Sequence, residues 1–182
     1  MCPPVRWRVL GAVAGVLVTL VVVTAVVAAI IAVPVSGDSM RPAFADGDRV
    51  LLHPFRGPDD VRRSDVVAVR FAADGPLVLK RVVAVAGDRV RIDPGPVVRL
   101  LPDGETRWRI VPTAGDWGSK PVSCCGPDGA AAQESADALV PNGKLFVLGD
   151  NPGASDDSRA FGWAARDLVR GVVWTTAWPL DG

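Results

Sequence analysis

Histidine is almost missing from this chain: His53 is the only one in 182 residues. A histidine-based triad would have to use it, yet it stands before Pro54, where a strand pattern ends among charged loop residues. It reads as a strand-end histidine rather than a catalytic base. Cysteine is scarce too. Cys124 and Cys125 are adjacent, so their Cα atoms lie about 3.8 Å apart, below the usual disulfide range. Cys2 precedes a long apolar run and belongs to another compartment. No disulfide framework can be read from this spacing, and without a CxxC pair no cysteine–histidine zinc site is indicated. An excess of either charge is also lacking, with 20 basic and 20 acidic residues. A nucleic-acid binder would usually show a basic excess, so no nucleic-acid partner is expected. Lysine is confined to Lys80, Lys120 and Lys144, so each of the three stands out in a chain whose basic residues are nearly all arginine.

What the chain does have is one long apolar run. Val9 to Val33 reads VLGAVAGVLVTLVVVTAVVAAIIAV, with no charge and with Thr19 and Thr24 as its only polar side chains. As a helix it would reach about 38 Å, against roughly 30 Å of hydrocarbon. A signal-peptide core is shorter, so length favours a retained transmembrane helix over 9–33. The alternative is a leader cut near Ala32 or Ser36. Arg6 and Arg8 precede the run and the first acid, Asp38, follows it. The positive-inside rule then puts residues 1–8 in the cytoplasm and 34–182 outside, as a single-pass protein of the cell membrane in contact with the lipid bilayer.

Beyond Pro34 the texture changes to short valine-rich runs punctuated by Gly, Pro and Asp. Segments 48–53, 65–71, 76–92, 105–111, 144–150 and 169–178 all read as strands. The best helical candidate is 130–139. The expectation is a mostly β domain of antiparallel sheets over 34–182, with 112–140 as a loop or insertion.

Three islands could support chemistry. The first is Ser36-Gly37-Asp38-Ser39-Met40-Arg41-Pro42, just past the apolar run. A serine hydroxyl needs a neighbouring base before it becomes a nucleophile. The second island, PLVLKRVVAVAGD (76–88), offers one. Period-two alternation places Val78, Lys80, Val82, Ala84 and Ala86 on one strand face, with Lys80 the only polar group there. Burial there disfavours the ammonium form, so Lys80 could act as general base; otherwise it is a lysine snorkelling at a strand edge. Arg81 points the other way and should pair with a carboxylate. The third island, LGDNPGASDDSRAFGWA (148–164), can hold a hydrogen-bond network. Asp157 and Arg159 can pair, and Ser155 can bond a buried lysine. Its alternatives are a polar surface loop or a calcium loop, although EF-hand spacing is absent.

In this order, behind an apolar run, the islands resemble bacterial type I signal peptidases, membrane-anchored serine proteases that remove signal peptides. The resemblance covers 9–52, 65–92 and 144–174. Gly37 to Pro42 matches the family's nucleophile segment, Lys80-Arg81-Val82 through Gly87-Asp88 its general-base segment, and Gly149-Asp150-Asn151 with Ser155 to Gly162 its third box. The resemblance implies Ser39 as nucleophile, Lys80 as base, Ser155 holding Lys80, and Asp157 with Arg159 as a supporting pair. It implies signal peptides of exported preproteins as substrates, and neither metal nor organic cofactor. Ala43, Ala86 and Pro152 depart from the usual threonine, proline and arginine. Gly37 stands where some members use a serine for the oxyanion, so backbone N–H groups of Ser39 and the Gly37 region would serve instead. Rival readings are a dedicated maturation protease with one substrate, a soluble self-cleaving repressor relative disfavoured by the anchor, and a tethered β-domain that cuts nothing.

Overall fold

The strands follow the valine-rich runs. In the computed structural model, residues 5–93, 97–112 and 137–178 are described, with side chains at 5–8, 25, 28–31 and 178 left aside. An N-terminal helix, α1 (Val5–Ile31), precedes eleven described strands. They are β1 (Val33–Pro34), β2 (Arg49–Leu52), β3 (Val66–Val69), β4 (Val78–Val85), β5 (Arg89–Asp93), β6 (Val97–Leu101), β7 (Arg109–Ile110), β8 (Ala138–Leu139), β9 (Lys144–Leu148), β10 (Ala164–Ala165) and β11 (Val169–Trp178). One short helix, α2 (Ser158–Phe161), interrupts the strands late in the chain.

Pairing is antiparallel throughout. Seven strands form one sheet in the order β1-β2-β11-β3-β4-β9-β10, and four form another in the order β7-β6-β5-β8. The long β11 joins the larger sheet together, pairing with β2 through its second half and with β3 through its first. β3, an unbroken VVAV, is buried on both faces, as a continuous apolar run should be. β5 and β6 instead alternate buried and open positions, because only one of their faces meets the core. That core includes Val90, Ile92, Val98, Leu100 and Phe146, with Trp163 edge-on to Phe146 at 5.9 Å.

Several expectations change. Residues 138–139, placed in a helix from sequence, form β8 against β5, where cross-strand hydrogen bonds outweigh a weak local helical preference. The rest of that helix, most of the 112–140 loop, and Cys2, Cys124 and Cys125 lie outside the described residues. The 76–92 run divides into β4 and β5, and β6 was not foreseen. Alternation in β4 also breaks. A register shift between Val82 and Ala84 inserts an extra residue, so Ala84 packs with Val83 and Phe146 while Val85 returns to the Val78 and Val82 cluster. Lys80 therefore shares its face with Val78 and Val82 but not with Ala84, and Ala86 lies past the strand end. α1 spans 27 residues, but its side chains are described continuously only over 9–24, where all are exposed. Among the described residues no helix is long and apolar enough to cross a membrane.

Candidate active site

The Ser36–Pro42 segment is a turn between β1 and β2. Gly37 takes φ +80°, a left-handed conformation that costs a side-chain-bearing residue strain. Its N–H donates to Asp46 Oδ1 at 2.7 Å, and Val35 N–H bonds the Asp48 carbonyl at 2.8 Å. The Gly37 N–H is thus engaged by Asp46 in this structure. Met40 is buried against Val35, Val50, Val66 and Leu79, so it pins the turn to the sheet. Ser39, beside it, stays half-buried.

Lys80 is 3 % exposed. Its Nζ and the Ser39 Oγ lie 3.0 Å apart in a hydrogen bond. Forty-one positions separate them in sequence; the fold brings them together because β4 runs through the sheet beneath the turn that carries Ser39. Arg81, the next residue, turns to the other face, as alternation requires. It donates to both Asp150 oxygens at 2.7 and 2.6 Å, and to the Ser64 carbonyl at 3.0 Å. That bidentate bond with Asp150 raises the guanidinium further above its ordinary value.

The third island is no surface loop. Ser155, Asp157, Ser158 and Arg159 are all buried. Asp157 caps α2 by accepting from the Arg159 N–H, and the Arg159 side chain bonds both of its oxygens at 2.8 Å. Asp157 Oδ2 also accepts from the Gly149 N–H at 2.9 Å and from the Ser155 hydroxyl at 2.8 Å. These donors converge on one carboxylate, which is how a buried charge avoids its desolvation penalty. Ser158 Oγ accepts from the Val147 N–H at 2.9 Å, tying α2 to β9.

Two residues that sequence reasoning left without a role clamp this network to Ser39. Asn151 donates its backbone N–H to the Ser39 carbonyl at 3.0 Å and its side-chain amide to the Asp38 carbonyl at 3.1 Å. Gly149 is squeezed between Ser155 and Ser39. A Cβ there would lie 2.3 Å from Ser155 Oγ and 2.5 Å from the Ser39 carbonyl oxygen. The signal was in the Gly-Asp-Asn run, but no local pattern says what it touches. The Gly-Asp at 87–88 has a comparable structural use. The buried Asp88 carboxylate binds Arg63 and the N–H groups of Val85 and Asp103. Burial pushes its pKa up, but Arg63 and those N–H groups more than offset this and hold it below the usual carboxylate range.

Two cavities flank Ser39. One, of about 220 Å³, touches Ser39 and is walled by Val33, Val35, Met40, Leu77 and Leu79. The other, of about 470 Å³, lies along β4 and β9 over the Arg81–Asp150 pair. His53 is remote from this chemistry in its contacts: its Nδ1 accepts from the Phe55 N–H, and its ring lies 5.9 Å from that of the exposed Trp174.

The chain is similar to known proteins. The family model described as signal peptidase, peptidase S26, matches residues 6–178. The chain is 28 % identical over 150 residues to signal peptidase IB of Staphylococcus aureus (strain Mu50 / ATCC 700699), covering 81 % of this chain and 77 % of that protein. It is 30 % identical over 148 residues to the mitochondrial ATP-independent inner membrane protease subunit 1a of Arabidopsis thaliana, covering 80 % of this chain and 68 % of that one. A solved signal peptidase I from Enterococcus faecalis V583 is 24 % identical, with a TM-score of 0.40, over 63 % of this chain and 97 % of that one. The chain belongs to the signal peptidase family, peptidase S26, and is a serine endopeptidase of the type I signal peptidase kind.

Proposed function

We propose that Ser39 and Lys80 are a catalytic dyad that removes signal peptides from exported preproteins at the outer face of the cell membrane. The observation that supports this best is the 3.0 Å contact between Ser39 Oγ and the buried Lys80 Nζ. A buried amine with apolar neighbours is disfavoured as ammonium, and as a neutral base it takes the Ser39 proton. Ser39 Oγ attacks the carbonyl at the cut. The tetrahedral oxyanion is held by the Ser39 N–H, and its collapse gives an acyl-enzyme while Lys80 returns the proton to the departing amine. Lys80 then activates water, which releases the acid.

Ser155 positions Lys80 in this account. Asp157 in turn fixes Ser155, and Arg159 fixes Asp157. The 220 Å³ cavity beside Ser39 takes the small side chains before the cut, with the substrate extended against the sheet edge. The apolar run at 9–33 is the anchor, with residues 1–8 in the cytoplasm and the β domain outside. No step in this mechanism calls for a metal or an organic cofactor.

Ser39→Ala and Lys80→Ala should each abolish cleavage of a preprotein in detergent while thermal unfolding stays cooperative. Full activity in either variant refutes the dyad. Release of the full chain from membranes by alkaline carbonate refutes the anchor.

A further inference from the structure

The larger cavity is the unused feature nearest the dyad. Pro42, Val83, Val111, Pro112 and Leu148 form its apolar walls. Among the described residues that line it, the charged ones are Arg81 and Asp150, which bond one another twice. Arg81 also donates to the Ser64 carbonyl. The pair is thus internally neutralised, and an incoming charged side chain would find no partner among these described lining residues. The volume of about 470 Å³ falls within the range of true ligand pockets.

Its position is informative. Just before and along β4, Leu77 and Leu79 line the smaller cavity, while Arg81 and Val83 line the larger one. Lys80 stands between these two sets. In the nucleophile segment the same order holds: Ser36, Ser39 and Met40 face the smaller cavity, Pro42 and Ala43 the larger. An extended chain crossing Ser39 therefore enters one cavity on each side of the cut. The smaller begins at Val33 and Pro34, immediately after α1. The apolar part of a signal peptide lies on the membrane side, so the acyl half belongs there.

We propose that the larger cavity receives the first residues of the departing mature chain and favours an uncharged, apolar side chain at the first or second position after the cut. This rests on the proteolytic reading above. In the acylation step the Ser39 Oγ–carbon bond forms and the carbon–nitrogen bond breaks. Lys80 passes its proton to the new amine, and the amine-bearing segment leaves through this cavity. Binding there aligns the scissile bond and delays early loss of the leaving segment.

The test is a set of peptides identical before the cut, with Leu or Asp at the first two positions after it, assayed with the full chain in detergent. The wild-type protein should prefer Leu by about tenfold or more in kcat/KM, as apolar pockets discriminate. Val111→Lys should lower that ratio by speeding the Asp peptides, whereas Val111→Glu should slow both sets and leave Asp no better used. A wild-type ratio near one overturns the proposal, as does a ratio unchanged in both variants while each still cleaves. Failure of the wild-type protein to cleave any peptide instead overturns the proteolytic reading itself.

Discussion

Replacing Gly149 by alanine adds one methyl group at the tightest point of the site. An ideal Cβ would lie 2.3 Å from Ser155 Oγ, 2.5 Å from Ser155 Cβ and 2.5 Å from the Ser39 carbonyl oxygen, where ordinary contact begins at 3.4 Å. Relief needs a separation of about 1 Å between the 149–155 loop and the nucleophile turn. Rotating the Ser155 hydroxyl away relieves only one of these contacts, since Ser155 Cβ and the Ser39 carbonyl oxygen move only with the backbone. The Gly149 N–H is held by Asp157 and the Ser39 carbonyl by Asn151, so both walls are braced. Overpacking of this kind costs about 1–3 kcal/mol, or roughly 2–4 °C of Tm per kcal/mol for a chain of this size. Activity suffers more, because about 1 Å of misplacement can cost on the order of 10²-fold. The assay is kcat/KM on one peptide substrate beside a thermal melt. Gly149→Ala should stay folded with a modest fall in Tm and lose on the order of 10²-fold in kcat/KM. Wild-type kcat/KM in Gly149→Ala would refute the reasoning, since the loop and turn would then be separable without consequence.

Asp157→Ala leaves the buried Arg159 without its carboxylate and strips the acceptor from Ser155 and Gly149. Breaking such a pair should cost about 3–5 kcal/mol, read by chemical denaturation; a loss near zero would show the pair is dispensable. For Asp88 the folded pKa is lowered, so its stabilisation is present above the ordinary carboxylate range and lost as pH falls through the folded value. Asp88→Asn should therefore melt lower at neutral pH, with the gap to wild type narrowing as the solution becomes acid. A gap that widens in acid would reverse the assignment.

Most of the strands, and the residue types available at the candidate site, were legible in the sequence alone. Valine-rich runs bounded by Gly, Pro and Asp specify strands, because β-branched side chains fit a pleated surface. The scarcity of histidine directed attention to Lys80, and alternation sent Arg81 to the opposite face, where it meets Asp150. Local pattern could not locate the bulge after Val82 or the pairing of 138–139 with β5, since both depend on a partner strand far away in the chain. Nor could it say that Asn151 grips the carbonyls of Asp38 and Ser39, or that Gly149 is glycine for want of room. Residue identity sets what a group can do, and reads directly from the chain. Distance and burial set whether it does so, and they arise only when strands separated by dozens of residues pack into one sheet.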